Sequence, residues 1–261
     1  MPDRPLISIL TVVKDDAAGL ARTRASLRRQ IFRDFEWLVA DGGSGPGVRD
    51  LLNDVRLETA WLDSRPDGGP FGGMNRAMKR ARGQWLLFLN AGDSLYSAES
   101  LEMMAAAAHD PGRPGLVFGD TYEEIEGGRL ALRRARSERW AAYGMFAHHC
   151  AILYRQDLVT GILYRTNLRI AADYAFTLEV LARTSLTKHV PEPVAVFASG
   201  GLSRQQQNVG RREQDWVRRE MLCIPSYVCI AISAIQFVMA SLRQGLPKCY
   251  AVLRYASTPD R

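Results

Sequence analysis

Over the first ninety residues, short apolar runs alternate with charged segments of helical period. "LISILTVVK" (6–14) is almost wholly apolar and predicts a strand buried on both faces. "GLARTRASLRRQ" (19–30) predicts a basic amphipathic helix, and "FEWLVADGGS" (35–44) a second strand with a polar exit. A short helix near 47–55, a strand "LETAWLDS" (57–64), a helix over "GGMNRAMKRAR" (72–82) and the strand "WLLFL" (85–89) follow. Strands alternating with helices predict an α/β fold with a mostly parallel central sheet. Ser97 is placed to cap the next helix, "AESLEMMAAAA".

Past residue 115 the rhythm changes. "GLVFGDTYEEI" and "RLALRRA", joined by "EGG", predict an antiparallel hairpin. A strand "CAILYR", a helix from about 172 to 184 and a strand near "VPEPVAVFA" complete the pattern, and a helix of about 205–220 comes after it. Residues 221–242 carry no charge, a length that would just span a bilayer. On a helical wheel, however, Ser226, Cys229, Ser233 and Gln236 share one side, opposite Val228, Ile232, Ile235, Met239 and Leu242. Basic residues flank both ends, so an amphipathic helix lying on an anionic membrane face fits better than a span. The plainer alternative is a helix packed on the domain or on a partner. The division expected is residues 1–205 as the main domain and 206–261 as a helical extension.

Composition narrows this little. The chain has 261 residues, 47% hydrophobic and 24% charged, which is ordinary for a globular protein and excludes wholesale disorder. A net charge of +6 points to an anionic partner without choosing one. The basic residues are scattered over helices with no groove-reading motif, which argues against nucleic acid. Four cysteines without a CxxC pair argue against a disulfide framework or a zinc site. No signal peptide is evident at the N-terminus, so the expected location is cytoplasmic.

Candidate chemistry sits where strands end. Asp41 in "VADGGS", Asp67 in "SRPDGGPFGGMN" and Asp93 in "LNAGD" follow three successive predicted strands, and in a parallel sheet such exits converge on one edge. A single Asp-Gly pair reads as a turn; three on successive strands point to a ligand site. A fourth acid, Asp173 in "RIAADYAF", opens a predicted helix.

The ordered blocks ISILTVVKDDAAGLARTRASLRRQ, VADGGS, SRPDGGPFGGMNRAM, GQWLLFLNAGD, HHCAILYR, LRIAADYAFTLEVL and GGLS resemble the family 2 glycosyltransferases with the GT-A fold, over about residues 6–205. The resemblance is nearest to the bacterial branch that builds exopolysaccharide, colanic-acid type enzymes included. It implies an inverting transferase that moves a sugar from a nucleotide-diphosphate donor to a lipid-linked or saccharide acceptor. It also implies that Asp41 and Asp67 contact the nucleoside, with Asn75 and Asn90 on the donor side. Asp93 would be the carboxylate for Mg²⁺ or Mn²⁺, and Asp173 the general base, with its pKa kept low by the helix dipole. Ser203 and Arg204 would close over the diphosphate. His148, His149 and Asp120 are weaker candidates for the acceptor cleft, while His109 and His189 show no evident partner. The stretch "PFGGMN" departs from the pattern: Phe71 lacks a hydroxyl, Gly73 stands where a carboxylate is common, and Ala77 replaces a usual glycine. A degenerate transferase fold kept as a binding partner, or a basic nucleic-acid-binding module, are the alternatives.

Overall fold

A computed structural model of the chain describes residues 4–125, 128–198 and 206–245. Alternate residues of the apolar runs separate onto two faces of one sheet. In β1 (Ile7–Val13), Leu10 and Val12 join one core cluster while Ile7, Ile9 and Val13 join the other. β2 (Phe35–Asp41) divides Leu38 and Ala40 from Trp37 and Val39 in the same way. β3 (Trp61–Ser64) lies at the edge, and β4 (Trp85–Phe88) sends Leu86 and Phe88 to one side and Trp85 and Leu87 to the other.

A sheet apolar on both faces must be covered on both. α1 (Ala17–Arg28), α2 (Pro46–Val55) and α4 (Ser100–Ala108) cover one face through Leu20, Leu27, Val48, Leu52, Leu101 and Met104. α3 (Pro70–Met78) and α6 (Ala172–Leu181) cover the other through Met74, Ala77, Ala175 and Phe176. Each aliphatic side chain so buried contributes roughly 1.5–3 kcal/mol.

The remaining strands are β5 (Ser94–Leu95), β6 (Leu116–Glu124), β7 (Leu130–Arg133), β8 (Ile152–Arg155) and β9 (Thr187–Phe197), with the one-turn helix α5 (Gln156–Val159) after β8. The order is β3-β2-β1-β4-β8-β6-β9-β5, with β7 beside β6. β1 to β4 run parallel to one another. β8 pairs antiparallel to both β4 and β6. The expected hairpin forms, with Thr121 opposite Arg133 and Glu124 opposite Leu130.

Two expectations need correction. Ser97 does not cap α4: the helix begins at Ser100, and the Ser97 hydroxyl accepts instead from the Glu99 N–H at 3.2 Å. The uncharged run is not one helix either. α7 (Gln207–Leu222) ends at Cys223, which is left-handed at φ 52°, and α8 (Ser226–Gly245) starts after Pro225. No helix among the described residues is long and apolar enough to cross a membrane.

Backbone packing under Asp67 leaves no room at Gly72, where an added Cβ would lie 2.0 Å from the Asp67 carbonyl oxygen. Gly72→Ala is expected to destabilise the fold by about 1–3 kcal/mol, as overpacking does. A urea midpoint equal to that of the wild type would count against this packing.

Candidate active site

Because β1 to β4 are parallel, their carboxyl ends share one edge. Asp41 ends β2 and is fully buried. Its carboxylate accepts from the Ser44 hydroxyl at 2.5 Å, from the Ser44 N–H at 3.0 Å and from the Ser64 hydroxyl at 2.5 Å. Burial alone would push its pKa up, but these hydrogen bonds outweigh burial and hold it below the usual carboxylate range. Asp41 thus holds the 42–44 turn in shape.

Asp67 accepts from the Gly69 N–H at 2.9 Å, and one of its oxygens lies 3.5 Å from Arg76. Arg76 also binds the Asp63 carboxylate and donates to the Asp41 carbonyl at 3.2 Å, tying the exits of β2 and β3 together. An added Cβ at Gly73 would meet the Asp67 carboxylate at 2.8 Å, so the expected place for a second carboxylate is already filled. Asn75 uses both ends of its amide on one backbone residue, donating to Tyr164 O at 2.9 Å and accepting from Tyr164 N at 2.8 Å. Phe71 stacks on the Tyr164 ring at 5.5 Å, which accounts for an apolar residue there.

Beyond β4, Asp93 is 5% exposed and accepts from the Ala198 N–H at 3.0 Å. Burial pushes its pKa up to about 7 against that hydrogen bond and the Arg22 charge. The Thr23 hydroxyl donates to Asp93 O at 2.7 Å, fastening α1 to the turn. Asn90 Oδ1 is buried with no hydrogen-bond partner, while Asn90 Nδ2 lies 3.0 Å from His149 Nε2. His149 Nδ1 in turn lies 3.9 Å from Asp173 Oδ2. Burial drives the imidazole pKa down to about 4, so the ring is neutral at pH 7. With Asn90 donating to Nε2, the proton sits on Nδ1 and faces Asp173.

Asp173 stands in the first turn of α6 and accepts from the Tyr174 N–H at 2.7 Å. The helix dipole does not keep its pKa low. Burial outweighs the backbone hydrogen bonds and raises it to about 6, closer to what a base working near neutrality needs.

Two groups therefore form along one edge: Asp41 and Asp67 around Arg76, and Asn90 and Asp173 around His149, with Asp93 at the adjoining turn. The exit of β1, which the motif reading passed over, joins them. Lys14 donates to Gly43 O at 2.7 Å, and the Asp15 N–H donates to Ser44 Oγ at 2.7 Å. Asp16 caps α1 by accepting from Gly19 and lies close to Gly92. His149 was visible only as one of a histidine pair, since its partners are distant in sequence. Asp120 is committed elsewhere, 2.9 Å from His189 Nε2 and accepting from Ala135 N, so His189 has a partner after all. His109 Nδ1 likewise lies 2.8 Å from Ala105 O. Ser203 and Arg204 lie outside the described residues.

Solved structures place this arrangement of strands and helices in the GT-A class of transferase fold. Staphylococcus aureus TarS (residues 1–349, in complex with UDP) superposes with a TM-score of 0.65 at 17% identity, over 95% of this chain and 75% of that one. The Pyrobaculum calidifontis mannosyltransferase PcManGT, in complex with GDP-Man and Mn²⁺, gives 0.59 at 14% identity over 98% and 80%. The model of glycosyl transferase family 2 matches residues 8–161, and the chain belongs to that family. A PGL/p-HBAD biosynthesis glycosyltransferase of Mycobacterium bovis is 34% identical over 211 residues, 76% of this chain and 79% of the relative. The O-antigen biosynthesis protein RfbC of Myxococcus xanthus is 24% identical over 79% of this chain, which corresponds to 17% of that longer protein.

A buried carboxyl with a pKa of about 7 destabilises the fold once ionised. The penalty is absent below the unfolded value near 4, grows as pH rises, and is complete above about 7. Asp93→Asn in the ligand-free protein is therefore expected to match wild type in unfolding free energy near pH 4 and to exceed it above pH 7, by up to about 4 kcal/mol, as urea denaturation at each pH would read. A pH-independent difference would show that the carboxyl is not held dry.

Proposed function

We propose that this protein transfers a sugar, with inversion, from a nucleotide-diphosphate donor to a lipid-linked or saccharide acceptor in the assembly of a polysaccharide or glycolipid. The observation that carries the reading is the placement of one neutral imidazole, His149, between Asn90 on the strand edge and Asp173 on the facing helix. In this reading Asn90 stands on the donor side and Asp173 on the base side, with His149 between them. Transferase relatives in glycolipid and O-antigen biosynthesis, and fold neighbours holding UDP and GDP-Man, are in keeping with this.

In this reading residues 1–205 are the transferase unit. Asp41 shapes the 42–44 turn against which the base lies, and Asp67 and Asn75 shape the nucleoside side. Arg204 adds positive charge toward the diphosphate. An acceptor hydroxyl loses its proton to Asp173 as its oxygen attacks the anomeric carbon. The bond from that carbon to the diphosphate oxygen breaks, and the electron pair leaves with the nucleotide. His149 keeps Asp173 oriented without adding charge.

The donor set fits a hard divalent cation shared with a diphosphate. Asp93 offers a carboxylate and Asn90 an unpartnered amide oxygen, with no cluster of three acidic, histidine or cysteine ligands among the described residues. When bound, Mg²⁺ or Mn²⁺ would neutralise charge on the departing diphosphate.

Residues 206–261 are read as an extension that holds the enzyme on the cytoplasmic, anionic face of a membrane. α8 turns Cys229 and Gln236 inward and leaves Tyr227, Ile230, Ile235, Phe237 and Val238 more than half exposed. An outward apolar face with arginines on the neighbouring α7 suits a lipid interface.

Asp173→Asn is expected to lower turnover by about 10²-fold or more while sugar-nucleotide binding persists. Wild-type turnover should fall as pH drops through about 6, where Asp173 takes up its proton. Loss of donor binding along with turnover would make Asp173 structural. The double variant Ile230→Glu, Phe237→Glu should abolish sedimentation with anionic vesicles and spare transfer to a soluble acceptor; unchanged sedimentation would reject α8 as the contact.

A further inference from the structure

A cavity of 270 Å³ opens beside β6 and β7. Its walls come from β6, β7, the segment 134–148, α7 and α8, and neither Asp41, Asp67, Asp93 nor Asp173 lines it. Its volume is small for a whole sugar nucleotide, since pockets for drug-sized ligands run from about 300 to 1,000 Å³. It is of a size for a headgroup.

The lining is one-sided in charge. Arg133, Arg134 and Arg136 contribute to it, together with Gln214, Gln236 and Met239, and no carboxylate does. Arg133 lies 3.6 Å from Glu123, and Arg136 lies over the rings of Trp140 and Tyr143 at 5.9 and 5.3 Å. Stacked guanidinium groups present their edges to a ligand in the geometry that matches phosphate oxygens.

A fourth positive group sits just behind the wall. Arg218 is fully buried, and no carboxylate pairs with it among the described residues. It donates to Ala142 O at 3.2 Å, to Tyr143 O at 2.9 Å and to Gln214 Oε1 at 3.3 Å, and its Nη1 has no hydrogen-bond partner. Gln236 Nε2 donates to the same Tyr143 carbonyl at 2.8 Å and leaves a buried Oε1 unpartnered. A buried cation without a counter-charge is costly, and an anion in the adjoining cavity offsets that cost.

We propose that this cavity is a binding site for a phosphate group, carried on an amphipathic molecule that enters alongside α8. Gln236 and Met239 line it from the same helix that exposes Ile235, Phe237 and Val238. At its other end lies His148, next in sequence to the histidine that faces Asp173. The lipid source of the phosphate rests on the membrane reading of α8; the site itself does not rest on sugar transfer.

The test uses the full chain without any sugar nucleotide, so its failure leaves the transferase reading untouched. Met239→Trp fills the cavity without altering charge, Arg134→Gln removes an exposed charge with little risk to folding, and Arg219→Gln serves as a control outside it. Inorganic phosphate is expected to raise the Tm of wild type and Arg219→Gln, and to do so at least about tenfold less effectively with Met239→Trp and Arg134→Gln. Vesicles of phosphatidylcholine with phosphatidate should retain wild type at least about tenfold better than vesicles of equal surface charge containing phosphatidylserine, a preference lost in both cavity variants. Stabilisation by inorganic phosphate without a vesicle preference would support the site and assign it a soluble phosphate ligand. A vesicle preference without an effect of inorganic phosphate would support it with a headgroup ligand. If neither probe separates wild type from Arg134→Gln and from folded Met239→Trp, the proposal is overturned.

Discussion

β4 is hydrogen-bonded parallel to β1 along one side and antiparallel to β8 along the other, and the position of the site follows from that mismatch. On the parallel side, strands β1, β2 and β3 deliver their carboxyl ends to a common edge. On the antiparallel side β8 enters from that same edge, preceded at once by His149 and Cys150. The strand order also reverses between β1 and β4, and such switch points are where open α/β sheets take ligands. Asn90 and Asp93 lie there because β4 ends there.

The electrostatics of the crevice are set by how dry it is. Asp93 and Asp173 are both pushed up, to about 7 and about 6, and His149 is pushed down to about 4, each chiefly by burial. Asp41, also buried, is shifted the other way, because three hydrogen bonds from Ser44 and Ser64 meet its oxygens. Two carboxylates are thus poised near neutrality and a third is held ionised, and such perturbed groups mark candidate functional positions.

Much of the architecture was legible from period alone. β1, β2 and β4 alternate between two cores as their apolar runs required, and the β6–β7 hairpin formed where "EGG" marked it. The misses have physical reasons. Ser97 has the residue type of a cap, but its hydroxyl is spent within its own turn. The two-residue β5 carries too little pattern to see. The role of His149 depends on contacts with residues 90 and 173, which no spacing rule relates. For α8 the wheel put Val228, Ile232 and Met239 opposite Gln236, yet all three are half-buried and Met239 lines the same cavity as Gln236; of the apolar side it named, Ile235 is exposed, together with Tyr227, Ile230, Phe237 and Val238. The wheel could not say that Cys229 and Gln236 would face the protein, because the inward face is decided by the Tyr143 carbonyl that Gln236 meets.

The corner between α7 and α8 carries a mechanical implication. Cys223 adopts a left-handed conformation that non-glycine residues enter only at some cost, and its N–H and that of Ile224 both bond back to Arg218 O. The same residue's guanidinium grips the carbonyls of Ala142 and Tyr143. A stiff elbow thus couples the tilt of α8 to the segment 142–143, and a force applied at the outer helix is transmitted as leverage into the wall of the molecule rather than absorbed in a slack joint.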